Sequence, residues 1–125
     1  MRRLTWAAIA AACLIAPAAA DESLSFDFSW KDIPLCYDAP RNPEFRIQHV
    51  PDLTAYLRFE LQLERDGITY GGGEIPFDGR LAIPANSIMS RAPCKMGEYT
   101  WRVTAIDAAG RTLAVADRTL PIELD

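Results

Sequence analysis

The feature that most constrains this chain is a side-chain period of two that recurs along most of its length. Leu24, Phe26, Phe28 and Trp30 alternate with polar residues, and so do Phe45 and Ile47. Leu57, Phe59, Leu61 and Leu63 alternate with Arg58, Glu60, Gln62 and Glu64. Tyr99, Trp101, Val103 and Ala105 alternate with Thr100, Arg102 and Thr104, and Leu113, Val115, Leu120, Ile122 and Leu124 close the chain. Side chains on a strand point to opposite faces in turn, so this spacing describes strands with one buried and one wet face. No stretch keeps helical spacing over three turns. Turn chemistry falls between the runs at Pro40–Pro43, Pro51-Asp52, Asp66-Gly67, Asp78-Gly79, Pro84–Ser87, Arg91–Pro93 and Ala109-Gly110. The pattern predicts about seven strands, at 23–30, 44–50, 55–64, 73–77, 80–84, 98–107 and 112–123, and thus an all-β antiparallel sandwich.

With 125 residues there is room for one such domain. Its first 20 residues read as an address. Arg2 and Arg3 precede an apolar run from Leu4 to Ile15, and Pro17 and Ala18–Ala20 supply a small-residue cleavage site. This is the layout of a signal peptide, with residues 21–125 as the exported domain. The run is short for a membrane span of about 20 residues, so no stable insertion is expected after cleavage. A lipoprotein signal would want a stronger aliphatic residue than Ala10 three before Cys13. The Ala-rich segment suggests a bacterial periplasmic or secreted protein. Cleavage removes two arginines and no acid, leaving 11 basic against 17 acidic side chains. That balance disfavours nucleic acid and anionic membrane surfaces as partners.

Export also removes Cys13 and leaves Cys36 and Cys94. In an oxidising compartment two cysteines are expected to pair, here closing a loop of about 59 residues worth on the order of 4 kcal/mol. There is no C-x-x-C, and His49 is the single histidine. Thiol catalysis and a zinc site are therefore the weaker readings, and no cofactor is implied.

Other chemistry weighs against plainer readings. Gly71-Gly72-Gly73 could let a backbone approach closely or cradle an anion with its N–H groups. No helix follows, so a bulge or wide turn at a strand start is the plainer reading. Glu60, Glu64 and Asp66 read as a solvated face rather than an acid–base pair. His49 has the inward parity of Phe45 and Ile47, which predicts a partly buried, hydrogen-bonded imidazole. Trp30, Tyr99 and Trp101 read as core. No nucleophile–base pair is visible, so no enzyme is expected.

Several segments, taken in order, resemble the phosphatidylethanolamine-binding-protein family, in its small exported bacterial branch of phospholipid-binding, Raf-kinase-inhibitor-like proteins. They are Phe28-Ser29-Trp30 with Ile33–Cys36, Asn42–Phe45, Val50–Thr54, Gly71–Gly73, Ala92-Pro93-Cys94 and Tyr99–Asp107. The resemblance spans about residues 28–116. It implies a β-sandwich, adds support for a Cys36–Cys94 bridge, and implies a pocket for a small anion or phospholipid headgroup. Carried to this chain, that pocket would gather Asp66, Tyr70, Gly71, Gly72, Gly73, Pro93 and Tyr99. Two family histidines are replaced, by Tyr70 before the glycines and by Gly97 two residues before Tyr99, and Lys95-Met96 stands for Pro-Pro. The implied pocket is therefore an altered one. The stretch Tyr99–Ala105 followed by Asp107–Gly110 also resembles the last hairpin of a fibronectin type III domain. That likeness implies instead a periplasmic protein-interaction module that binds through loops or an exposed strand edge.

Overall fold

The computed structural model describes residues 23–31, 33, 42–63, 69–88, 90 and 93–122. The segment expected to be a signal peptide, Cys36, Asp66 and the Asp66-Gly67 turn lie outside the described residues. Among the described residues seven strands are present: β1 (Ser25–Asp27), β2 (Phe45–Gln48), β3 (Thr54–Leu63), β4 (Thr69–Pro76), β5 (Ala82–Ile83), β6 (Gly97–Asp107) and β7 (Thr112–Ile122). They form two antiparallel sheets, one ordered β1-β2-β5 and the other β4-β3-β6-β7. The described residues contain no helix long and apolar enough to cross a membrane.

The period-two reading decides what lies inside. Leu57, Phe59, Leu61 and Leu63 of β3 are buried, as are Tyr99, Trp101, Val103 and Ala105 of β6. They face Phe26, Phe45, Ile47 and Ile83 of the smaller sheet. Phe45 sits between the layers, its ring 4.8 Å from Phe59 and 5.1 Å from Trp101. Phe28 and Trp30 keep the inward parity of β1 beyond its last ladder residue, and Trp30 packs against Tyr99 and Trp101. Packing rather than backbone pairing thus carries the alternation to residue 30.

One expectation is reversed. His49 is exposed, not partly buried. β2 ends at Gln48, and His49 takes φ 60°, a left-handed conformation that removes it from strand parity.

Two polar side chains, Asn42 and Asp107, fasten loops of the fold. Asn42 is buried ahead of β2, donating from Nδ2 to the carbonyls of Pro43 (2.7 Å) and Pro84 (3.2 Å). Its Oδ1 accepts from the Ile88 N–H at 2.7 Å. The loop after β5 is thereby fastened to the start of β2, and Ile88 is carried into the core. Asn42→Ala would leave the buried Ile88 N–H unpaired, and is expected to lower unfolding free energy by about 2 kcal/mol in urea titrations, with no change in slope.

Asp107 organises the β6–β7 turn. Its Oδ1 accepts from the N–H groups of Ala109 (2.9 Å) and Arg111 (2.8 Å), and its Oδ2 from Arg111 Nε (3.1 Å). The Arg111 backbone N–H is the chief cause holding this carboxyl below its ordinary value, with the Arg111 guanidinium and the Ala109 N–H adding to it. Because the folded value lies below the unfolded one, near 3.9, the unfolded chain takes the proton first. The stabilisation is complete above about pH 5 and is lost as pH falls through the folded value. Asp107→Asn is therefore expected to lose less stability between pH 7 and pH 3 than the parent. Thermal melts at the two pH values check this.

Candidate functional site

The glycine triplet lies inside β4, not at a strand start. Gly73, Gly72 and Gly71 face Phe59, Glu60 and Leu61 of β3, after which Gln62 faces Thr69. Tyr70 is the extra residue of a bulge, one position before the glycines. Gly72 has φ 135°. A Cβ there would fall on the carbonyl oxygen of Phe59, with its carbonyl carbon at 2.9 Å and the Glu60 Cα at 3.0 Å. Glycine is therefore required at 72 by the close approach of β3.

Along this strand runs an open groove of about 410 Å³, bordered by Arg58, Glu60, Thr69, the three glycines and Glu74. Arg58 and Glu74 are paired at 3.2 Å. Glu60 stands opposite Arg102, which binds Asp117 through two hydrogen bonds of 2.8 and 3.1 Å. Asp117, and more weakly Glu60, hold the Arg102 charge above its ordinary range. Glu60 thus belongs to a face of alternating signs, with opposite charge beside it rather than a second acid.

Among the pocket residues expected from the sequence, those whose side chains are described lie in separate places. Gly71, Gly72 and Gly73 share the groove, but Tyr99 lies on β6, beyond β3, roughly 10 Å away across two strand spacings. Its ring is 1% exposed, edge-on to Trp30, and its hydroxyl donates to the Lys95 carbonyl at 3.1 Å. Inward parity places Tyr99 in the core and not at a rim. Pro93 is buried ahead of β6 and does not border the groove. Tyr70 holds its place in β4, and Asp66 lies outside the described residues.

Two other hollows were not foreseen. One of about 360 Å³ lies between the end of β4 and β5, walled by Ile75, Phe77, Ala82, Ile83 and Pro84, with Asp78 and Arg80 at its rim. The rim pair is 2.9 Å apart, and the Arg80 side chain, then its backbone N–H, holds the Asp78 carboxyl below its ordinary range. The other, of about 510 Å³, borders the smaller sheet and carries Asp27, Lys31, Glu44 and Arg46. Both signs are present there, so neither cation nor anion meets a field of one sign. Among the described residues no three His, Cys, Asp or Glu side chains are grouped as a metal site would need. The signal for these hollows was weak in the sequence, because each joins segments far apart in the chain. The chain matches no family model, no curated protein and no solved structure.

Proposed function

We propose that this chain is an exported, non-enzymatic interaction module of the immunoglobulin and fibronectin kind. The observation that carries the reading is strand order. With β1 to β7 lettered A, B, C, C′, E, F and G, the sheets are A-B-E and C′-C-F-G, the Greek-key order of immunoglobulin-like sandwiches. The Tyr99 hydroxyl, bonded to a carbonyl four residues upstream at the start of the sixth strand, has the position of the tyrosine corner of that fold. Domains of this build present loops and edges to other proteins on a rigid core.

The resemblance to the phosphatidylethanolamine-binding family offers a second reading, an anion or headgroup site at the glycines. The groove supports it less well, because Glu60 and Glu74 flank the glycines and Arg58, the arginine among the described residues there, is already paired. Either reading includes a bridge between Cys36 and Cys94. These are the two cysteines left in the chain once a signal segment ending at Ala20 is removed.

A thermal-shift titration of the oxidised protein separates the readings. The panel holds phosphate, phosphoethanolamine, glycerophosphate and a neutral sugar. A ligand specific for the folded state, at 100 times its dissociation constant, adds about 2.7 kcal/mol. The expected result is a flat panel; a rise specific to the phosphate-bearing compounds would return the site to headgroup binding.

A further inference from the structure

We propose that the free edge of β4 is a strand-addition site, which takes an extended partner segment alternating between apolar and basic side chains. The proposal rests on the interaction-module reading and supplies its surface and the chemistry of its partner.

The larger sheet ends on β4 and β7, and the two edges are unlike. β7 lies against β1, tied by an Arg118–Asp27 ion pair of 3.3 Å, and carries Pro121 near its end. No described strand pairs with the outer side of β4. An edge strand turns half of its N–H and C=O groups away from its neighbour, and such groups are a template for another backbone. Protected edges are short, or carry lysines, prolines, bulges or inward-pointing charges. β4 runs eight residues with its bulge at one end, at Tyr70, and its proline at the other, and between them lies Gly71-Gly72-Gly73. No side chain there stands in the way of an approaching strand.

The parity of β4 then sets what the partner must carry. Gly71 and Gly73 face the buried Leu61 and Phe59, so they share the inner side of the sheet. Ile75 follows on the same side, and beside it opens the apolar hollow walled by Phe77 and Ile83. A strand added to β4 would turn every second side chain over these glycines and toward that hollow, where apolar groups are favoured. The intervening side chains would lie on the outer face beside Glu60, Arg58 and Glu74. Around that row Glu60, Glu74 and Asp117 outnumber Arg58 and Arg102, and on a chain of net charge −4 this excess favours lysine or arginine there. The same charge disfavours a second copy of this chain, which would bring its own carboxylates to the edge.

The test titrates the isotope-labelled oxidised protein with a synthetic nonapeptide alternating lysine and valine, capped at both ends. Two controls have the same composition: one N-methylated at alternate residues, the other with valines and lysines in separate blocks. The expected result is saturable shifts in the amides of residues 69–75, absent with the N-methylated peptide and weak with the blocked one. Glu74→Lys, an exposed change that should leave the melting temperature nearly unaltered, should weaken binding roughly tenfold. Silence of β4 at about 1 mM probe would overturn the proposal, since that concentration reaches even weak affinities. So would an equal response to the N-methylated peptide, shifts centred on β7, or self-association through β4 without probe. A silent β4 with a flat phosphate panel overturns the edge site alone, whereas a phosphate-specific melting shift overturns the interaction-module reading beneath it.

Discussion

Substituting Gly72 by valine is expected to lower stability by about 3 kcal/mol or more, and the melting temperature by roughly 12–24 °C. Two effects add. A β-branched residue at φ 135° occupies a backbone region that L-residues rarely adopt. Its Cβ would also meet backbone, the Phe59 carbonyl and the Glu60 Cα, and backbone cannot rotate away as a side-chain tip can. Relief requires β4 to move off β3, which disturbs the ladder from Gly71 to Gly73. Gly79→Ala is the control. Its φ is 98°, but nothing lies within 4 Å of the added Cβ. That change carries the conformational term alone, about 1 kcal/mol. Thermal unfolding followed by circular dichroism compares them, and equal losses would show that β3 and β4 do not approach as closely as described.

Gly72 also marks where side-chain period stops informing. The spacing Leu57–Leu63 and Tyr99–Ala105 located β3 and β6 almost to the residue, because each has one buried face for alternation to record. A glycine has no side chain to alternate. The pattern placed the fourth strand at 73–77, whereas the ladder begins at Thr69 and includes the bulge at Tyr70. His49 kept strand parity in the sequence and lost it to one left-handed residue. Sheet order was beyond the pattern altogether, since β2–β5 and β3–β6 join segments with other strands between them.

The site was legible to a similar depth. The Asp107 turn is foreshadowed by an aspartate three residues before Gly110, a spacing suited to a carboxylate that caps its own turn. Asn42 gives no such sign, because Pro84 and Ile88, which it binds, are more than 40 residues away. The pocket drawn around Tyr99 fails on parity: the alternation that makes Tyr99 a core residue is what removes it from the rim. The groove and the apolar hollow together use β3, β4 and β5, and only the fold brings both beside β4.

Phe45→Ala is expected to remove about 4–5 kcal/mol, the largest loss from any single truncation considered. Phe45 is 0% exposed and is the ring through which the two sheets meet. Phe26 and Phe28 lie at 6.0 Å on its own layer, and Phe59 at 4.8 Å and Trp101 at 5.1 Å on the other. Trp101 stands nearly perpendicular to it at 83°, an edge-to-face geometry worth about 0.5–1.5 kcal/mol beyond the area buried. Truncation forfeits that term and opens a cavity between two sheets whose ladders resist collapse into it. A domain of this size has about 5–15 kcal/mol in all, so the variant would sit near its folding threshold. Val115→Ala, at a side chain 50% exposed on the outer face, should stay within about 0.5 kcal/mol. Urea unfolding by tryptophan fluorescence measures both, since Trp30 and Trp101 pack in or against this core. Equal midpoints for the two variants would mean that Phe45 does not join the sheets. A loss confined to Phe45→Ala would locate the stability of the sandwich in this aromatic contact between its sheets.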